Sequence, residues 1–80
     1  MGLYKITMPE MGQAIKEAKI SNWCKTTGEN IQEDEILFEI TTDKEESEIP
    51  SPVSGKLVKI NFEEGEVVKV GQVIGVIETT

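Results

Sequence analysis

The sequence contains no histidine and no arginine, and all eight basic residues of the 80-residue chain are lysines. Without histidine, the chain lacks the commonest general base near neutral pH and the imidazole ligand of many metal sites. Without arginine, it lacks the forked guanidinium that binds phosphate through two hydrogen bonds. Together with a formal net charge of -7, these absences argue against nucleic-acid binding, because phosphate neutralisation dominates that affinity.

Cysteine is nearly absent, and no long apolar run occurs. Cys24 is the only cysteine, which excludes an internal disulfide and a Cys-x-x-Cys site. No segment approaches the length of a membrane span or the apolar core of a signal peptide. We therefore expect no membrane partner and a cytoplasmic setting, or the mitochondrial matrix if the source is eukaryotic. Residues 1–80 are expected to form one thin-cored domain with little room for an enclosed active site.

Two halves of the chain resemble each other. The run Gly28-Glu29-Asn30-Ile31-Gln32 aligns with Gly65-Glu66-Val67-Val68-Lys69, an offset of 37 residues from Gly28 to Gly65. The aliphatic positions on both sides of these runs keep the same spacing. Each half contains short alternating segments separated by turn residues. We predict an all-β fold, a flattened antiparallel barrel or sandwich of two four-stranded sheets with pseudo-twofold symmetry (a barrel-sandwich hybrid).

Residues 15–23 are the one stretch whose composition tolerates a helix. The repeat places residues 19–23 opposite residues 56–60, which alternate like a strand. We therefore predict a strand here. Residues 8–16 then form a loop that is longer than its counterpart at residues 50–55.

Lys44 is predicted to lie at the tip of a hairpin. Residues 36–42 alternate as a strand does, Asp43 favours a turn, and the chain then resumes as a strand before Pro50. A lysine at such a tip can enter a modifying enzyme without disturbing the fold, so we predict that it carries a covalent group. The alternative is an ordinary solvated turn lysine. Under the repeat, Asp43 corresponds to Thr80, so the tip is expected at the opposite end of the domain from the carboxyl terminus.

Other reactive or charged residues have simpler interpretations. Cys24 adjoins Lys25, but neighbours along a strand point to opposite faces, so Cys24 is interpreted as a packing or surface cysteine. Trp23 is expected in the core because its repeat partner is Ile60. The acidic residues around the tip are interpreted as a solvated rim and not as a divalent-cation site: Asp43, Glu45, Glu46 and Glu48.

Five motifs, in their order and spacing, carry a family resemblance. They are Met8-Pro9-Glu10-Met11-Gly12, Glu17-Ala18-Lys19-Ile20-Ser21-Asn22-Trp23, Gly28-Glu29-x-Ile31, Thr42-Asp43-Lys44 and Glu48-Ile49-Pro50-Ser51-Pro52-Val53-Ser54-Gly55. The chain resembles, over nearly its whole length, the lipoyl domains of dihydrolipoamide acyltransferase components of 2-oxo acid dehydrogenase complexes.

This resemblance implies a cofactor and site residues. Lipoate would be attached covalently to Lys44, and Asp43, Glu45 and Gly55 would take part in recognition by a lipoate-protein ligase or lipoyl transferase. Partner recognition would fall to a loop that comprises Met8, Pro9, Glu10, Met11, Gly12 and Gln13. Two positions differ from the usual family pattern: Glu45 replaces a small or aliphatic residue, and Gln13 replaces a common Glu.

The resemblance also implies partners. The domain would be a non-enzymatic swinging-arm carrier, monomeric in isolation and excised from a longer acyltransferase chain. It would visit a thiamin-diphosphate-dependent 2-oxo acid decarboxylase, the acyltransferase catalytic domain and dihydrolipoamide dehydrogenase.

Other functions remain open at this point. A biotin carrier domain of a carboxylase shares the fold, although methionines typically flank its lysine where Asp43 and Glu45 stand here. A glycine-cleavage carrier protein is a further alternative, but the chains of those proteins are longer than this one. An unmodified all-β interaction module is the alternative from a different class, and an acyltransferase active site within these residues is the weakest alternative because histidine is absent.

Overall fold

Eight antiparallel strands make up the regular structure of the computed structural model, which describes residues 2–12 and 14–79. The strands are β1 (Gly2–Thr7), β2 (Glu17–Trp23), β3 (Asn30–Ile31), β4 (Ile36–Thr41), β5 (Glu46–Pro50), β6 (Gly55–Ile60), β7 (Val67–Lys69) and β8 (Val73–Thr79). They form two four-stranded sheets with the orders β1-β8-β6-β3 and β5-β4-β2-β7.

The two sheets share one hydrophobic core. Alternation along the strands directs aliphatic side chains from both sheets inward, where burial of apolar surface stabilises the sandwich. Twelve apolar residues are buried in this core: Ile6, Met8, Ala18, Ile20, Ile31, Leu37, Phe38, Ile40, Leu57, Val68, Ile74 and Ile77.

The strand pairing confirms the internal repeat. Ile20 pairs with Ile40 in one sheet, and the equivalent Leu57 pairs with Ile77 in the other. In both pairs of strands the register shifts at the next position, between Ile20 and Asn22 and between Leu57 and Lys59. The two sheet orders become identical when β1 to β4 are exchanged for β5 to β8. The predicted pseudo-twofold relation therefore extends to the irregularities of the strands.

Two turns at equivalent positions of the repeat connect the sheets. Gly28 and Gly65 have φ angles of +96° and +93°, in the region that side chains with a Cβ rarely adopt. The Gly28 amide donates to the carbonyl of Leu57, and the Gly65 amide donates to that of Ile20, both at 2.7 Å. These turns allow the chain to pass from one sheet to the other.

The fold agrees with most of the sequence-based expectations. Residues 17–23 form a strand, as predicted, and the described residues 2–12 and 14–79 include no helix. Of the two architectures predicted, the sandwich is the one observed, because the sheets are not closed into a barrel.

Candidate functional site

The candidate site is the turn that joins β4 to β5 in the second sheet. Thr41 and Glu46 form the last pair of the hairpin. Beyond this pair, the Thr42 amide donates to the Glu45 carbonyl at 2.9 Å. Only Asp43 and Lys44 remain outside this bond, so Lys44 lies at the tip of the hairpin, as predicted.

The Thr42 hydroxyl stabilises this turn. Its oxygen accepts hydrogen bonds from the Lys44 amide at 3.3 Å and the Glu45 amide at 3.2 Å. It also donates to the Glu45 carbonyl at 3.2 Å. Two-residue hairpin turns commonly use positive φ angles, but neither Asp43 nor Lys44 has one. The side chain of Thr42 thus satisfies backbone amides of a turn that does not use the left-handed conformation.

The Lys44 side chain projects into solvent. Lys44 is exposed, and the one ion pair within residues 2–12 and 14–79 joins Lys25 to Glu35 at 3.0 Å. Within those residues, Lys44 forms a hydrogen bond through its backbone amide, and its side chain forms none. The ammonium group is therefore accessible to an acylating enzyme, while the backbone that carries it is fixed.

Acidic side chains surround the tip, and all are exposed: Asp43, Glu45, Glu46 and Glu48. Among the residues that the structure describes, no group of three or more His, Cys, Asp or Glu side chains is placed to hold a metal ion. Asp43 and Glu45 flank Lys44 directly in the turn, whereas Glu46 and Glu48 lie on β5.

An open cleft of about 360 Å³ lies beside the tip. Ala14 and Ile15, from the loop before β2, form one part of its lining. Thr41, Asp43 and Val67 form another, and Lys16, Glu17 and Lys19 complete it. Neither this cleft nor the hydroxyl cap of Thr42 is among the features predicted from the sequence. A threonine two residues before Lys44 is a recognisable turn signal, but the cleft depends on contacts between distant segments.

The predicted partner loop is only partly exposed. Met8 is 1% exposed and belongs to the core, Pro9 and Met11 are half-buried, and Glu10 and Gly12 are exposed. Gln13 lies outside the described residues. The structure therefore gives Met8 a packing role, and a recognition role of this loop stays a prediction.

Gly55 is not brought close to Lys44 by the fold. It lies in β6 of the first sheet, buried and paired with Thr79 of β8. A Cβ at this position would collide with the backbone carbonyl of Glu78 and would lie 2.8 Å from Cγ2 of Ile77. This contact explains the need for glycine by packing. A role of Gly55 in recognition by the modifying enzyme stays a prediction without support from its position.

Trp23 and Cys24 have structural environments that agree with their sequence-based interpretations. Trp23 is half-buried; its ring centroid lies 5.2 Å from that of Phe38, and its Nε1 donates to the Phe62 carbonyl at 2.9 Å. Cys24 is exposed. Partial desolvation raises the pKa of the Cys24 thiol, and the negative charges of Glu39 and Glu48 raise it further, so the thiol is protonated and weakly nucleophilic at neutral pH.

Comparison with known proteins identifies the family. The family model described as biotin-requiring enzyme, which covers biotin and lipoyl attachment domains, matches residues 4–77. The chain belongs to the biotin/lipoyl family. No helix in the described part of this family member is long and apolar enough to cross a membrane.

The curated relatives of this biotin/lipoyl domain are acyltransferase components. The chain is 43% identical to the dihydrolipoyllysine-residue acetyltransferase component of the pyruvate dehydrogenase complex from Corynebacterium glutamicum, over 92% of this chain and 11% of the relative. It is 42% identical to the succinyltransferase component of the 2-oxoglutarate dehydrogenase complex from Bartonella vinsonii, over 92% of this chain and 18% of the relative. The chain thus spans less than a fifth of the length of these relatives.

Solved structures agree with the observed fold of the biotin/lipoyl domain. The lipoyl domain of the 2-oxoglutarate dehydrogenase complex from Azotobacter vinelandii matches with a TM-score of 0.77 and 28% identity, covering 95% of this chain and 98% of that domain. The urea carboxylase of Kluyveromyces lactis matches with a TM-score of 0.80, covering 98% of this chain and 6% of that enzyme, at 18% identity. The second likeness shows a common fold only.

Proposed function

We propose that this chain is the lipoyl carrier domain of an acyltransferase component of a 2-oxo acid dehydrogenase complex, and that Lys44 carries the lipoate. The observation that carries this proposal is the exposed Lys44 ammonium on a fixed two-residue hairpin turn in a chain of the biotin/lipoyl family. The identity of 42–43% with lipoyllysine acyltransferase components supports lipoate as the attached group.

The residues at the tip fit a covalent acyl group. Nζ of Lys44 would hold lipoate through an amide bond, which removes the positive charge of the side chain. When bound, lipoate supplies a disulfide that accepts acyl groups and electrons from one active site and releases them at others. The lysine side chain has no hydrogen bond or ion pair within the described residues that acylation would break, since the hydrogen bonds of the turn use its backbone and the Thr42 hydroxyl.

The domain itself contributes position. The Thr42 cap holds the backbone at the base of the arm through hydrogen bonds, and the rotatable bonds of the lysine side chain and its attached group supply the reach of the arm. Tethering makes each visit to a partner effectively intramolecular, and a high local concentration then replaces tight binding. The acidic rim around Lys44 is solvated and would contribute to partner discrimination by charge.

The partners follow from the proposed complex. The arm would pass between a thiamin-diphosphate-dependent decarboxylase, the acyltransferase catalytic domain and dihydrolipoamide dehydrogenase. The whole parent protein would be the acyltransferase, of which this chain is one domain. Its modification would require a lipoate-protein ligase or lipoyl transferase.

The test is enzymatic modification of the isolated domain. The chain is incubated with lipoate-protein ligase and lipoate, and separately with biotin ligase and biotin, and the products are measured by intact mass and peptide mapping. We expect one lipoyl group on Lys44, none in Lys44→Arg, and normal modification of the control Lys56→Arg, because Lys56 lies on β6 in the other sheet. Transfer of biotin, or lipoylation of a different lysine, would contradict the proposal.

A further inference from the structure

The cleft beside the tip is lined by three apolar residues, Ala14, Ile15 and Val67, and by five polar or charged ones, Lys16, Glu17, Lys19, Thr41 and Asp43. Val67 contributes a side chain that is 53% exposed. Its equivalent in the first half is the polar residue Asn30 on β3. Ala14 and Ile15 belong to the long loop before β2, and the shorter link between β5 and β6 has no residues to match them. All three apolar groups therefore occur only where Lys44 is.

The position of this cleft brings it within reach of the Lys44 side chain. Asp43, the immediate neighbour of Lys44 in the turn, is part of the cleft lining. Thr41, the last residue of β4, also lines the cleft. The cleft is open to solvent and has a volume of about 360 Å³. Whatever is attached to Lys44 is thus held at high local concentration next to an apolar surface.

We propose that this cleft is a resting site for the acyl arm of Lys44, with Val67, Ile15 and Ala14 as its apolar contacts. The inference rests on the proposed function, which supplies an arm made of a saturated carbon chain and a sulfur-containing ring. Acylation removes the charge that keeps an unmodified lysine in water, so the modified side chain has apolar surface to bury. The arm would rest in the cleft between visits to partners and leave it readily, because the cleft is open and the contact small.

The first experiment locates the arm on fully lipoylated domain, as verified by intact mass. We expect nuclear Overhauser effects between the dithiolane or chain protons and the methyl groups of Val67 and Ile15. Amide shifts on modification should extend from the turn to these residues and not to Asn30. The variant Val67→Ser should lose the contacts. Val58→Ser is the matched control, since Val58 is an exposed valine on β6 of the other sheet, 40% exposed, and should keep them.

The second experiment is independent of any ligase. In the double variant Cys24→Ser/Lys44→Cys, the single remaining thiol is coupled to octyl methanethiosulfonate, which attaches an eight-carbon chain at the tip through a disulfide. The same contacts with Val67 and Ile15 are expected, and again they should disappear with Val67→Ser. This experiment gives a result even if the domain is not a lipoate acceptor. A failure of the proposed function can therefore be distinguished from a failure of the resting-site proposal.

Two results would overturn the resting site. Shifts confined to residues 42–45, with no contact between either attached chain and the cleft, would show that the arm stays in solvent. Shifts at Val67 and Ile15 that arise only when a decarboxylase component is added would assign the cleft to a partner and not to the arm.

Discussion

The two sheets have the same internal plan but different outer surfaces. In the first sheet, three neighbouring strands present the row Lys5, Val76 and Lys59. At the equivalent place in the second sheet the row is Glu48, Glu39 and Asn22. We call these the lysine row and the glutamate row. Two positive charges on one face therefore correspond to two negative charges on the other.

The comparison separates what the fold requires from what it leaves free. Several buried positions keep their aliphatic character under the repeat, as in Ile31 and Val68, because both sheets must fill one core. Outer positions diverge in charge. Glu39 and Glu48 even lie directly opposite each other, an arrangement of like charges that costs stability. The outer surface of the second sheet, which carries Lys44, is thus not optimised for stability.

The largest effect on stability is expected at a buried position where the two halves differ, Gly55 and its repeat counterpart Ala18. Ala18 accommodates its Cβ in the core, whereas a Cβ at Gly55 would collide with the carbonyl of Glu78. We expect Gly55→Ala to lower the free energy of unfolding by about 1–3 kcal/mol, as overpacking does. Urea unfolding measures this. The reciprocal variant Ala18→Gly should cost only about 0.5–1 kcal/mol, and equal losses at the two sites would contradict the difference in packing.

An intermediate effect is expected from the two equivalent threonines, Thr42 and Thr79. The Thr42 hydroxyl caps the tip, whereas the Thr79 hydroxyl donates to the Gly2 carbonyl at 3.2 Å. Thr42→Val should lower stability by roughly 0.5–1.5 kcal/mol through lost hydrogen bonds and should speed amide exchange at Lys44 and Glu45. Thr42→Ser should restore slow exchange. Thr79→Val is the control and should leave the tip amides unchanged; faster exchange there would disprove a local role of Thr42.

The smallest effect is expected from making the glutamate row resemble the lysine row. Glu48→Lys removes the repulsion of Glu39 and should raise the free energy of unfolding by about 0.2–1 kcal/mol at low salt. The negative charge of Glu48 raises the pKa of the Cys24 thiol, so its loss should lower that pKa and increase alkylation of Cys24 at a fixed pH near 8. Lys5→Glu on the opposite face is the control. An unchanged alkylation rate in Glu48→Lys would show that the two groups do not interact.

The sequence predicted the repeat, the strand at residues 17–23 and the hairpin tip because each depends on local pattern: alternation, turn residues and spacing. It assigned Met8 to the predicted partner loop, with packing as the simpler interpretation, and did not reveal that Met8 belongs to the hydrophobic core. Met8 takes the place in the first half that Ser51 takes in the second: the Met8 amide donates to Gln72, and the Ser51 amide donates to Glu35. The spacing between Met8 and Ser51 differs from the 37-residue offset of the rest of the repeat, because the loop before β2 is longer. An alignment at one fixed offset therefore does not match these two residues.

The candidate site was predictable at Lys44 and not in its surroundings. The lysine is identified by neighbours in the chain, Asp43 and Thr42, whereas the cleft joins Ile15 to Val67 across the second sheet. Such contacts depend on how a loop packs on an edge strand, which no periodicity encodes. The place of Gly55 in the other sheet is of the same kind, since sequence proximity to the tip did not translate into spatial proximity.

The pairing of the first and last strands has a mechanical consequence. β1 and β8 run antiparallel with Gly2 opposite Thr79, so a force that pulls the two ends apart acts on their hydrogen bonds one after another, as in opening a zipper. Bonds loaded in sequence yield at lower force than bonds loaded together. Under tension, β1 is therefore expected to peel away first, and the hairpin of β4 and β5, in the other sheet, would carry load only afterwards.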